Sequence, residues 1–239
     1  MRVASTLAAD ARILWRLLCG QPRQGSHAER LNAFYAPQAE RYDAFRSRLL
    51  HGRIELLNDL VIPPAAHVVE LGCGTGITLE LLGQRVNNLR RIDLVDLCPA
   101  LLQVARQRAA NVACANVHEA DATTWQPEQP VDLVIISYAL TMIPDWQKTI
   151  DNIVAMLAPE GQIAVVDFHL PSRGSRLFNW FWRSWFGHDG VRLSTALLER
   201  LRQSFPMHRC LELRAPVPYL PGLRAPYFRF IARRAVSTV

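Results

Sequence analysis

An α/β fold is what this sequence predicts: a seven-stranded, mostly parallel sheet with helices on both faces, a helical extension ahead of it and a helical insert after the fifth strand. Three observations carry that prediction. The apolar run His67 to Leu71 ends in glycines at alternate positions, Gly72, Gly74 and Gly76, after which Ile77 to Leu82 reads as the start of a helix. Leu133-Val134-Ile135-Ile136 is apolar at every position, as a parallel strand buried on both faces must be. Around these, short apolar runs alternate with amphipathic stretches, the rhythm of parallel strands joined by helices.

The elements follow in order. Residues 1–20 read as an amphipathic helix with Leu7, Ala11, Leu14, Trp15 and Leu18 on one side and Arg12 and Arg16 on the opposite flank. It suits either a membrane interface or packing on the domain. After Gly20-Gln21-Pro22, a second helical region runs from Ser26 to Leu60, broken near Pro37 and dense in aromatic and charged residues. Together these form an N-terminal extension, 1–60, ahead of a main domain, 61–239. The next strands are Val68 to Leu71, Arg91 to Asp96, Val117 to Ala120, Asp132 to Ser137 and Ile163 to Phe168. Pro99 stands near the start of a helix to Ala110, where its missing N–H costs little. Trp146 to Leu157 is a further helix, and Pro159-Glu160-Gly161 a turn.

From about 173 to 205 the insert carries Leu177, Phe178, Phe181, Trp182, Trp185 and Phe186 on one side of a helical wheel, with Arg176, Asn179, Arg183 and Ser184 on the rest. That pattern fits a helix at a lipid interface or over a lipid-chain pocket, or one packed on the sheet edge. Cys210 to Leu213 and Tyr227 to Ile231, either side of a proline-punctuated loop, read as a closing antiparallel hairpin.

Composition bounds the rest. At 239 residues, half of them hydrophobic, one globular domain is the default. The longest nearly apolar stretch, Leu133 to Ile143, is about half of what a transmembrane helix needs. The first residues fit neither a signal-peptide core nor a lipoprotein site, since Leu18 precedes Cys19 where a small residue is required; a cytoplasmic protein is expected. Cys19, Cys73, Cys98, Cys114 and Cys210 share no C-x-x-C spacing, so a reduced chain without a metal site is expected. The formal charge of +6 suits an anionic partner, either nucleic acid or a membrane surface.

Glycines suit the loop after the first strand because a ligand can lie against bare backbone and because the turn visits dihedrals other residues resist. A dinucleotide-binding loop would place its third glycine at position 77, where this chain has Ile77. The pattern is instead E-x-G-x-G-x-G, with Glu70 two positions before Gly72. Asp96, at the end of the second strand, is placed to accept from both hydroxyls of a ribose. These residues resemble the first motif of the class I, Rossmann-like methyltransferases, which use S-adenosyl-L-methionine.

That resemblance implies that Glu70, Gly72, Cys73, Gly74 and Gly76 hold the cofactor together with Asp96 and Leu97. It also implies that Asp121-Ala122 meets adenine, although an Asp at a strand end is equally a turn former, and that the loop opening at Ser137 faces the methyl group. The segment before the first strand would cap the site. Arg53 would pair with the methionyl carboxylate, and Tyr35, Tyr42 and Tyr138 would offer ring faces to a developing cation. His169, ending the fifth strand, suits either a proton acceptor or a structural residue.

A more specific likeness rests on Ser26-His27-Ala28-Glu29-Arg30-Leu31, on Arg48 to Arg53, and above all on the loop from Ser137 to Trp146 and on Val165-Val166-Asp167-Phe168. Through these the chain resembles the N-methyltransferase of betaine-lipid synthesis, which converts diacylglycerylhomoserine to diacylglyceryl-trimethylhomoserine. The resemblance implies repeated N-methylation of a lipid amine by a peripheral protein on the inner face of a membrane. No second domain for making the homoserine lipid is seen, so a separate enzyme is expected to supply it. The Phe168-His169 pair departs from the phenylalanine-tyrosine of fused relatives. Nucleic acid is not expected as substrate, because exocyclic base-amine methyltransferases carry Asn or Asp and then Pro-Pro-aromatic after the fourth strand, where this chain has Ser137-Tyr138-Ala139-Leu140. The alternatives are another acceptor, such as phosphatidylethanolamine, a quinone precursor or a soluble amine, or a non-catalytic cofactor-binding subunit.

Overall fold

In chain order the strands are β1 (His67–Leu71), β2 (Arg91–Asp96), β3 (Ala115–Glu119), β4 (Val131–Ser137), β5 (Leu157–Phe168), β6 (His208–Pro216) and β7 (Arg224–Arg233). They form one sheet, ordered β3-β2-β1-β4-β5-β7-β6, in a computed structural model that describes residues 25–36, 48–171, 175–187, 190–218, 220 and 222–235. The first five strands are parallel, whereas β7 runs antiparallel to β5 and β6 antiparallel to β7. The mostly parallel sheet and its closing hairpin are those the sequence predicts. Strand order reverses between β1 and β4, which opens a crevice beyond their carboxyl ends.

Among the described residues the α-helices are α1 (His27–Tyr35), α2 (Arg53–Asn58), α3 (Thr78–Leu82), α4 (Pro99–Ala109), α5 (Trp146–Met156), α6 (Arg176–Gly187) and α7 (Thr195–Ser204). Strand side chains alternate between the faces, so each face has its own core. Val68, Ile92, Leu133, Ile135 and Val166 pack with Leu56 of α2, Leu79 of α3 and Trp182 and Phe186 of α6. Val69, Leu71, Val134, Ile136 and Val165 pack with Ile150 and Ile153 of α5 and Leu197 and Leu201 of α7. Each such side chain, fully buried, contributes about 1.5–3 kcal/mol of transfer free energy.

Three elements differ from expectation. In the helical region predicted through Leu60, the described residues hold two short helices, α1 and α2, with turns at 48–52 ahead of α2, and Gly52 adopts φ 84°. A Cβ there would lie 2.6 Å from the Tyr227 ring, so only glycine lets the chain pass. Pro37 and the amphipathic stretch 1–20 lie outside the described residues. At Pro159 the chain does not leave the sheet: Val131 pairs with Leu157 and Leu133 with Gln162, so the residues between bulge from β5, with Glu160 at φ 61°. Finally, the insert splits into two helices on opposite faces, α6 on one and α7 beside α5 on the other.

A buried charge cluster marks β2. Asp93 accepts from His67 Nε2 at 2.6 Å, from Arg91 Nε at 2.8 Å and from His118 Nε2 at 2.7 Å. Among the described residues no helix is long and apolar enough to cross a membrane.

Candidate active site

The glycine loop leaves β1 with Gly72, Gly74 and Gly76 at φ 71°, 55° and 69°. The three differ in what surrounds them. A Cβ on Gly72 would fall 2.3 Å from the Ala139 Cβ, so packing against the protein itself requires glycine there; one on Gly76 would sit tightly, 3.2 Å from the Ala105 Cβ. A Cβ on Gly74 would meet only Leu101, at 3.8 Å. Close approach by a ligand is therefore open at Gly74.

One cavity lies over the carboxyl ends of β1, β2 and β4. Of the residues singled out in the sequence, it gathers Tyr35, Arg53, Gly72, Cys73, Gly74, Asp96, Leu97, Asp121, Ala122, Ser137 and Tyr138. Glu70 and Gly76 do not reach its wall, and Tyr42 lies outside the described residues.

Asp96 fastens the loop. Its Oδ2 accepts the Gly74 amide at 2.8 Å and its Oδ1 the Cys98 amide at 2.8 Å, which ties β1 to the start of α4. Each oxygen keeps a second lone pair for a ligand hydroxyl. Burial pushes this carboxyl above its ordinary pKa, against the pull of the amides. Opposite, Arg53 Nε donates to Ser137 Oγ at 2.6 Å, and its guanidinium carbon stands 5.6 Å from the centre of the Tyr138 ring. Among the described residues its terminal nitrogens take no hydrogen bond, so they are available to an anionic group.

Tyr138, the residue after β4, takes a left-handed conformation, φ 56°, and its hydroxyl donates to the His51 carbonyl at 2.5 Å. Its ring leans on Phe168 at 4.7 Å, and Phe168 on Phe186 of α6 at 4.3 Å. Tyr35, across the cavity, donates to Met142 Sδ at 3.3 Å. The turn carrying Met142 is held from beneath: Asp167 accepts from the Thr141 hydroxyl at 2.6 Å and the Thr141 amide at 3.1 Å. Burial lifts the Asp167 carboxyl to about 6.

Two residues point elsewhere than their positions in the sequence suggest. Glu70 faces the core below the loop, where its Oε1 accepts from the Thr78 hydroxyl at 2.6 Å and Oε2 has no partner; burial raises its pKa to about 7. His169 is buried away from the cavity, its ring edge-on to Phe228, and burial lowers its pKa. Sequence reasoning gave His27 no role at the site, although it stands in the stretch Ser26 to Leu31 that carries the family likeness; the structure places it on the border of the cavity.

The bare backbone of Gly74, the paired oxygens of Asp96 and the open terminal nitrogens of Arg53 fit the ribose and the amino-acid end of S-adenosylmethionine. Fold and cavity together are those of a class I methyltransferase fold. Residues 68–161 match the family described as a methyltransferase domain. Over 112 residues the chain is 38% identical to trans-aconitate 2-methyltransferase of Escherichia coli (strain 55989 / EAEC), a match covering 47% of this chain and 43% of that one. The matched region thus spans about half the length of this curated relative. In structure the chain is similar to N-methyltransferase NodS from Bradyrhizobium japonicum WM9 in complex with S-adenosyl-L-homocysteine, with TM-score 0.57, 18% identity, and coverage of 82% and 87% of the two chains. It is also similar to the [4+2]-cyclase SpnF, with TM-score 0.66, 15% identity, and coverage of 91% and 99%. These structural likenesses concern the fold; SpnF is named for a different reaction.

Proposed function

We propose that this chain is an S-adenosylmethionine-dependent N-methyltransferase that acts on the amine of a membrane-lipid headgroup, with diacylglycerylhomoserine as the acceptor. The observation that carries the lipid reading is the aromatic column Tyr138, Phe168, Phe186, Trp182, which links the cavity wall to α6. The outer side of that helix leaves Leu177 74% and Trp180 65% exposed, with exposed Arg176 and Arg183 on the same helix. Apolar anchors among arginines suit an anionic bilayer surface, and a protein held there by α6 keeps its cavity within reach of headgroups.

When bound, S-adenosylmethionine supplies an electrophilic methyl group on a sulfonium. The chain's own residues bind and align: Asp96 receives the ribose hydroxyls, Asp121-Ala122 the adenine, and Arg53 the carboxylate. Tyr35 and Tyr138 line the space where positive charge forms on the acceptor nitrogen. Residues 25–36 and 48–60 act as a cap on the same site, and a separate enzyme supplies the lipid.

A second reading, methylation of a carboxylate on a small polyacid, is favoured by the 38% identity to trans-aconitate 2-methyltransferase. One experiment separates the two. Purified protein is incubated with S-adenosylmethionine and either vesicles containing diacylglycerylhomoserine or soluble trans-aconitate, and products are read by mass spectrometry. Stepwise methyl additions ending at the trimethyl lipid establish the first reading; a monomethyl ester with unchanged lipid establishes the second.

A further inference from the structure

His27 is the first residue of α1 and borders the cavity that Asp96, Arg53 and Tyr138 also line. Its place is fixed. The Ser26 hydroxyl accepts the Glu29 amide at 3.3 Å, the Glu29 carboxylate accepts the Ser26 amide at 2.7 Å, and Leu31, Phe34 and Tyr35 pack the helix against Cys98 and Leu101. Among the described residues the imidazole takes no hydrogen bond. A ring nitrogen is therefore open to whatever enters the cavity.

The other candidate bases on the wall are committed. Asp96 spends an oxygen on each of two amides, and the Tyr35 and Tyr138 hydroxyls are donated to Met142 and the His51 carbonyl. Asp121 Oδ1 accepts the Thr123 amide at 2.8 Å, and Asp145, also on the wall, accepts from Lys148 Nζ at 2.9 Å. Three charged groups act on His27 from three segments: Arg30 on α1, Arg192 ahead of α7, and Asp121 after β3. Partial burial and the two arginines lower its pKa below the ordinary 6.5, and Asp121 opposes them. At neutral pH the ring is uncharged and ready to accept.

We propose that His27 is the proton acceptor of the transfer, an inference that rests on the amine reading above. An ammonium has no lone pair, so its N–H bond must break before a C–N bond forms. The proton passes to the open imidazole nitrogen, and the freed lone pair takes the methyl carbon. The carbon–sulfur bond breaks with its electron pair left on sulfur. The imidazolium gives its proton to water before the next round. A carboxylate acceptor, already ionised at neutral pH, needs no such group.

The test compares the full chain with His27→Gln, using vesicles containing diacylglycerylhomoserine across pH 5.5 to 9, with S-adenosylhomocysteine binding followed by calorimetry and the imidazole titration followed by NMR. In the wild type the NMR inflection lies below 6.5, and kcat is level above it. In His27→Gln, kcat at pH 7 falls by about 100-fold and rises with pH, as solvent takes over deprotonation, while S-adenosylhomocysteine affinity stays within about threefold. A variant within about threefold of wild-type kcat, or one whose cofactor affinity falls in step with its rate, overturns the assignment. A wild type that methylates no amine removes the amine reading, and the base with it.

Discussion

The Tyr138 hydroxyl donates to the His51 carbonyl at 2.5 Å, which joins the end of β4 to the turn that launches α2. This bond closes one side of the cavity, since Arg53 follows His51 by two residues and is itself held by Ser137. The hydroxyl is thus structural, and only the ring face is left for chemistry. Tyr138→Phe is expected to lower stability by about 1–2 kcal/mol and Tm by about 3–6 °C, read by thermal unfolding. It should keep kcat within about threefold, whereas Tyr138→Ala loses the ring and most of the activity. An unaltered Tm in Tyr138→Phe would show that the bond contributes nothing.

The glycines of the loop separate by what their missing side chains spare. Gly72→Ala forces a Cβ to within 2.3 Å of Ala139 at φ 71°, so the variant should lose several kcal/mol and express mainly as insoluble protein. Gly74→Ala has room, with Leu101 at 3.8 Å, and should cost about 1–2 kcal/mol for its left-handed backbone. Its methyl group would stand at the cavity wall. The variant is expected to fold, by circular dichroism, and to bind S-adenosylhomocysteine at least tenfold more weakly by calorimetry. Equal affinity would place the cofactor away from the loop.

The sheet was legible because its strands carry their own signals: an all-apolar β4, glycines after β1, and an Asp closing β2. Less was legible where the deciding contact lies far along the chain. Gly52 is needed because the Tyr227 ring sits behind it, 175 residues later in sequence. The aromatic pattern of α6 marked an apolar face without saying that Trp182 would be buried and Trp180 exposed, or that α7 would cross to the other face. Glu70 stood in the right place in the motif, but strand alternation turns it to the core, toward Thr78. His27 lay in a stretch that carried the family likeness, but nothing in the sequence showed that α1 would bring it to the border of the cavity.

Asp93 should set the acid limit of the fold. Burial alone would raise its pKa, but the hydrogen bonds from His67, Arg91 and His118 outweigh this and hold it at about 2. The unfolded carboxyl titrates near 3.8, so the native state gains about 2 kcal/mol that is fully present above that value and lost as pH falls through about 2. In urea titrations at pH 2, 3, 5 and 7, Asp93→Asn should lie below wild type at pH 5 and 7, and the gap should shrink at pH 2. A constant gap would mean that shape, not charge, matters at this site.

Glu70 has the opposite sign. Its carboxyl is lifted by burial from an ordinary 4.5 to about 7, so between those values the unfolded chain has lost a proton that the native state keeps. Stability should therefore fall as pH rises through this window, by at most about 3 kcal/mol. Glu70→Gln removes the titration. Its Tm should change less between pH 5 and pH 8 than that of wild type, and a wild type with no decline over that range would place Glu70's true pKa near that of an ordinary carboxylate.

Helix α6 presents two kinds of aromatic residue, and they should fail in different ways. Trp182 is fully buried and stacks on Phe186 at 5.3 Å, so Trp182→Ala should cost about 3–5 kcal/mol and lower Tm accordingly. Leu177 and Trp180 are exposed and contribute little to the fold. The double variant Leu177→Ala/Trp180→Ala should keep its stability within about 0.5 kcal/mol. If this edge enters the interface of an anionic bilayer, removing the two side chains forfeits apolar burial worth about 2–4 kcal/mol in membrane affinity. Co-sedimentation with vesicles rich in anionic lipid should therefore weaken at least tenfold, and methylation of lipid in vesicles should fall with it. S-adenosylhomocysteine binding should stay unchanged, because neither residue borders the cavity. Arg176→Gln/Arg183→Gln should weaken the same binding in a salt-dependent way, by about 1 kcal/mol for each charge removed. A double variant that still binds vesicles as the wild type does would detach α6 from the membrane, and the lipid reading would lose the observation that carries it.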